Sequence, residues 1–225
     1  CCRAAVLWCE RMLPTVQTSA GRAVIPNVRK VSWESGEMCE FAAALVSAAE
    51  CLGDPIPYYE VMGASGAAFR FTLSPGAWEF GNYGIRNISA DPDEAVRRAL
   101  EAAGFDYVLR GTTSAHADAR AMMSSIDRGV PVLAYGVVGP SDCCIITGYD
   151  DGGAVLLGWS AYQDIPDDHN IPHDATGYFR KPDWHDNLRG YVLLAGRRAR
   201  RPARGVYLTA LSWAVDLLLT PRRRD

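Results

Sequence analysis

The sequence predicts an α+β fold in which helices pack on an antiparallel sheet and a further helix trails at the C-terminal end. Three observations predict it. Stretches with helix caps and stops fill the first part of the chain. After Gly129 the period changes to short apolar runs separated by Gly, Pro or Asp, which read as strands. The last stretch, "GVYLTALSWAVDLLLTPRRRD", is an amphipathic helix with no partner sequence after it, so a C-terminal helical part is expected to be missing.

Taken in order, Ala4 to Leu13 is a short apolar helix candidate ended by Pro14, followed by a polar linker and "AVIPNV". "SWESGEMCEFAAALVSAAECLGD" reads as one Ala- and Leu-rich helix with Cys39 in its first turn, stopping at Gly53 and Pro55. "YYEVMGASGAAFRFTL" suggests a short helix, a tight turn and a strand. Its glycines do not form a phosphate loop, because the Gly-Lys-Ser/Thr ending is absent.

"SADPDEAVRRALEAAGF" offers Ser89 or Asp91 as a cap, Pro92 in a first-turn position and Gly104 as a stop. "SAHADARAMMSSIDRG" is a second capped helix ending at Gly129. Strands are expected in "VPVLAYGVV", "CCIITGYD", "AVLLGWSAY" and near residues 190 to 195. These elements divide the chain into an N-terminal helix and linker (1–30), a central domain (31–196) and an Arg-rich linker with the start of a helical part (197–225).

Composition excludes some functions. The chain has 225 residues, 48% hydrophobic and 22% charged, which suits one packed core. A formal net charge of −3 gives no reason to expect nucleic acid as a partner. No apolar run reaches the roughly 18 residues of a membrane span, so no membrane partner is expected and the cytoplasm is the default location. Seven cysteines, two adjacent pairs among them, form neither a disulfide framework nor a metal-ligand spacing. No metal or cofactor is implied.

Cys39 is the first chemical candidate. A thiol at a helix start faces unpaired amides and the positive end of the dipole, which favour the nucleophilic thiolate. About a hundred residues later come "G-x-P-V" and a strand ending in "TGYD". The segments "MCEFAAALVSAAECLGDPIPYYEVMGASGAAFRF" and "IDRGVPVLAYGVVGPSDCCIITGYDDGGAVLLGW" resemble the papain-like cysteine peptidases, more narrowly the C39-like peptidase family and the N-terminal domain of the butirosin biosynthesis protein H family. The likeness covers roughly residues 30 to 195.

The resemblance implies a papain-like fold and a cysteine-dependent hydrolase or acyltransferase with Cys39 as nucleophile. It also implies a histidine at the head of the "GYD" strand, where this chain has Asp142 and Cys143. The third member of the family's triad falls on Trp159 and Ser160, and its oxyanion-hole glutamine on Trp33, beside Glu34.

Papain-like acyl transfer needs a base that later donates a proton, and imidazole does both near neutral pH. Asp142 accepts a proton but donates poorly there, and its charge raises the pKa of a nearby thiol. Losing one oxyanion donor forfeits roughly 3 kcal/mol. A base could come from His169, His173 or His185 in the polar loop 163–186, from Glu34 or Glu40 acting with Asp142, or from a missing segment.

Two functions are therefore carried forward. One is catalysis by Cys39 with Asp142. The other is a non-catalytic papain-like module whose cleft binds a small amine or peptide through Glu34, Trp33, Asp142, Cys143 and Trp159. Trp33, Tyr58, Tyr59, Trp78, Trp159 and Tyr162 would suit a pocket wall. His116, inside a capped helix, is expected at the surface, and the run "GRRARRPARG" is expected as a solvated linker.

Overall fold

A computed structural model describes residues 13–69, 84–140, 142–165 and 171–219. The expected helix at Ala4 to Leu13 and the expected strand after Phe69 fall almost wholly outside these residues, as do Trp78 and His169.

The described residues form an α+β structure of one antiparallel sheet and five α-helices. The strands are β1 (Gln17–Ser19), β2 (Arg22–Val24), β3 (Phe105–Arg110), β4 (Val132–Tyr135), β5 (Cys143–Asp150), β6 (Val155–Trp159), β7 (Phe179–Lys181) and β8 (Gly190–Arg197). The helices are α1 (Glu40–Cys51), α2 (Tyr58–Ser65), α3 (Glu94–Ala102), α4 (Ala115–Ile126) and α5 (Ala203–Leu219). Among them, none is long and apolar enough to cross a membrane.

The sheet runs β1-β2-β5-β4-β8-β3, with β6 paired to β5 and to β7. β5 is its hub. β4 pairs with Cys143 to Ile146, β2 pairs with Tyr149 and Gly148, and β6 runs beside Ile145 to Asp150. The glycine of the "TGYD" run is required here, because a Cβ at Gly148 would stand 2.7 Å from the Ala23 carbonyl. Tyr149 donates its hydroxyl to Asp127 at 2.8 Å, tying β5 to the end of α4. Asp150 accepts from Arg22 at 2.6 Å and also from Arg180, so the acid ending this motif joins three strands.

α1 lies against β5 and β4, and every residue from Glu40 to Ala49 is buried. Its alanines allow this close approach, while Phe41, Leu45 and Val46 fill the core. α3 starts at Glu94, later than either proposed cap. Asp91 instead folds its carboxylate onto the Asp93 amide, and Ser89 donates to the Asp91 carbonyl, making a turn ahead of the helix. Ser114 caps α4 by accepting from the Ala117 amide. His116 is exposed on α4, as expected.

Three features differ from the sequence reading. β3 lies between α3 and α4, so helices and strands interleave rather than follow in blocks. β1 and β2 belong to the sheet, so the packed unit crosses the boundary expected at residue 30. The arginines after β8 do not form a free linker: Arg197 and Arg200 pair with Asp54, and Arg198 pairs with Asp106 at 2.6 Å. These clasps deliver α5 onto α2, where Trp213 and Leu217 join the core and Arg98 lies over the Trp213 ring.

Candidate functional site

A cavity of about 480 Å³ opens where α1 begins, at the head of β5. Cys39, Glu40 and Phe41 line it from the helix, and Asp142 and Cys143 from the strand. Tyr135 of β4, Arg86 in the turn before α3 and Arg189 ahead of β8 line it as well. The fold thus brings together Cys39, Asp142 and Cys143, more than a hundred positions apart in sequence.

Cys39 is the N-cap of α1 rather than a first-turn residue. Its amide donates to the hydroxyl of Tyr58 at 2.9 Å, and its side chain is almost completely buried. Burial is the leading influence on the thiol. The amides of Ala42 and Phe41 favour the thiolate, as a helix start should, but Glu40 and Asp142 oppose it. The outcome is a thiol pushed up to about 12, the reverse of the activation expected from helix position alone. Cys143, wholly buried on β5, is likewise raised by burial.

Two carboxyls flank this thiol, each held by an aromatic donor. Trp33 Nε1 donates to Glu40 Oε1 at 2.9 Å, and the Tyr162 hydroxyl donates to Asp142 Oδ2 at 2.8 Å. The two rings meet edge to face with centroids 4.7 Å apart, making one framework behind both acids. Gly139 provides the space for it: at φ +78° its backbone passes so close to the Tyr162 ring that a Cβ would stand 2.5 Å away. Burial, reinforced by the charge of Asp142, raises the Glu40 carboxyl to about 7. Asp142 is also raised by burial, with the Tyr162 bond acting the other way.

The remaining expected site residues are elsewhere. Trp33 supports Glu40 from behind and does not line the cavity, and Glu34 is exposed in the turn beside it. Trp159 donates its indole N–H to the Val28 carbonyl at 2.8 Å and packs edge-on against Tyr178, so it is a core residue rather than a cavity wall. Ser160 is buried in the turn after β6, where its hydroxyl accepts from the Tyr162 amide.

Neither described loop histidine lines the cavity. His185 Nε2 is 3.0 Å from Asp118 Oδ2, a buried carboxylate that also accepts from Thr113 and Tyr191. His173 lies 3.9 Å from Asp164 and bridges to Phe179 through its backbone.

Sequence reading missed Arg86, Tyr135 and Arg189 as cavity residues. Tyr135 reads as core because its strand is wholly buried, and it stacks parallel to Phe41 of α1. Arg86 lies over the other part of that aromatic pair, 5.2 Å from the Tyr135 ring centre, and pairs with Asp93 at 2.9 Å. No protein-family model matches the chain, and neither the curated proteins nor the solved structures offer a match to it.

Proposed function

We propose that this chain is a papain-like domain whose cleft binds a small cationic amine, free or as a peptide N-terminus, rather than using Cys39 as a nucleophile. The single observation that carries the reading is the pair of buried carboxyls, Glu40 and Asp142, on one cavity beside a thiol that they help keep protonated. Support for the papain-like frame comes from a cysteine capping a buried helix, with the head of a central antiparallel strand beside it.

At neutral pH a thiol with a pKa near 12 is ionised in about one molecule in 10⁵. The two groups placed to stabilise an acyl-transfer oxyanion are also committed: the Cys39 amide to Tyr58, and the Trp33 indole to Glu40. An ammonium group reverses these penalties. It neutralises the like charge of Glu40 and Asp142, and donates to their carboxylate oxygens.

Binding a cation must draw the proton from Glu40, which is about half ionised near pH 7. Calorimetric titration with a primary alkylamine should therefore show proton release near neutral pH and an affinity that climbs as pH rises through about 7. Glu40→Gln and Asp142→Asn should each weaken binding at least about tenfold, while Cys39→Ala leaves it unchanged. Equal affinity in the carboxyl variants overturns the reading. So does a Cys39-dependent burst of acyl-enzyme from an activated ester, which would establish the catalytic alternative.

A further inference from the structure

A second cavity of about 150 Å³ adjoins the first, and Arg86, Tyr135 and Arg189 line both. Arg110, at the end of β3, and Asp93 add to the lining of the smaller one, together with Tyr191. The charge there is uneven: three guanidinium groups face one carboxylate, and that carboxylate is already paired with Arg86.

The shared wall contains two polar atoms left without partners among the described residues. The Tyr135 hydroxyl is buried with nothing to bond, and so is Arg86 Nε. Both are donors. Tyr135 keeps its proton at any ordinary pH, because burial raises it well above the usual phenol value. An arginine Nε–H cannot accept at all. Leaving such groups unpaired is costly, so two of them at one junction require a reason. An acceptor-only group is the partner such donors lack, and the arginines lining the smaller cavity specify that it is an anion.

We propose that the junction of the two cavities binds the anionic oxygen group, carboxylate or phosphate, of a ligand whose amine rests on Glu40 and Asp142. The cleft is then a site for a bifunctional molecule, acidic at one end and basic at the other. Glu40 and Asp142 line the larger cavity alone, whereas Arg86, Arg189 and Tyr135 line both, and Phe41, Ile85 and Tyr135 add apolar surface to the larger one. The amine half of this statement rests on the proposed function above; the anionic half stands on Tyr135 and the arginines alone.

Titration calorimetry with three probes tests it: a primary alkylamine, the ω-amino acid of matching chain length and the matching aminoalkyl phosphate. One or both bifunctional probes should bind at least about tenfold tighter than the alkylamine, as a charge-assisted bond to a buried donor provides. The better of the two identifies the group. Tyr135→Phe and Arg189→Gln should remove most of that advantage, read as the ratio of bifunctional-probe to alkylamine affinity measured on each variant. Thermal melting of Tyr135→Phe shows that the variant is folded, and a melting temperature at or above that of the parent is expected from deleting an unpaired hydroxyl.

Equal affinity for all three probes, or an advantage that survives both variants, overturns the anionic subsite. Failure of the amine reading gives a different result: the alkylamine does not bind, yet inorganic phosphate or a simple monocarboxylate still binds and still depends on Tyr135.

Discussion

Glu40→Gln should make the protein more stable at neutral pH and flatten its pH dependence. Glu40 has an ordinary carboxyl value of 4.5 in the unfolded chain and about 7 in the folded one, chiefly because burial penalises its charge and Asp142 adds a like charge. Between those values the native state holds a proton that the unfolded state has released, so stability falls as pH rises through the window. Each pH unit is worth about 1.4 kcal/mol, so ionising Glu40 costs about 3 kcal/mol by the time pH exceeds 7. Glutamine keeps the carbonyl oxygen that accepts from Trp33 and never ionises, so it retains the bond without the penalty.

Denaturant unfolding of both proteins, stepped from below pH 4.5 to above pH 7, measures the difference directly. Parent and variant should coincide at the acidic end and separate by about 3 kcal/mol, in favour of the variant, at the alkaline end. Other titrating groups are common to both and cancel in the comparison. A parent whose stability does not fall across the window relative to Glu40→Gln refutes the buried, like-charged setting of Glu40, and with it the basis for an amine site.

Cys39 should react with iodoacetamide about a thousandfold more slowly near neutral pH than a free thiol of pKa 9.0. Peptide mass spectrometry would follow that cysteine among the others, and an alkylation midpoint at or below 9.0 would refute the buried thiol. Removing both acids in Glu40→Gln/Asp142→Asn should lower the midpoint and speed the reaction, because both raise the thiol. Tyr135→Phe should gain about 1–2 kcal/mol in denaturant unfolding, since it deletes a buried hydroxyl with no partner; a loss of that size would mean the hydroxyl is bonded in the free protein. Asp118→Ala should lose about 3–5 kcal/mol by stripping the acceptor from Thr113, Tyr191 and His185. Burial opposes the Asp118 charge, but the bonds from these partners win and hold its carboxyl below 3.8. Its contribution is therefore present above pH 3.8 and lost as pH falls through the lower folded value, which an acid titration of parent and variant would show.

The sequence showed the parts of the fold with strong local signals. The Ala-rich run after Cys39 is α1, the Ser114 cap starts α4, and the short runs after Gly129 are β4, β5 and β6. β3 was missed because "FDYVLR" follows directly on the stop at Gly104 and only Phe105 of its six residues is buried, so no continuous apolar run marks it. β1 and β2 are only three residues each; β1 pairs with β2, and the partner of β2, β5, comes from far along the chain. The arginines at and after the end of β8 look like solvated charge until Asp54, after α1, and Asp106, in β3, are brought beside them.

The site divides on the same physical line. Cys39 and Asp142 were legible because each stands at the boundary of an element that the pattern itself marks, a helix start and a strand head. The raised pKa of the Cys39 thiol was not legible because a helix N-terminus is a local property, whereas desolvation and the charges of Glu40 and Asp142 depend on what folds over it. Arg86, Tyr135 and Arg189 come from three separate segments, and none carries a local signature. What the structure adds is direction. At the head of β5 stands a carboxyl held by Tyr162, near a second held by Trp33, and Tyr135 and Arg86 of the same cavity each carry one buried polar atom without a partner among the described residues. Under the proposed function the acids take the basic group of the ligand and the donors its acidic group, a division of labour that does not need Cys39 as a nucleophile.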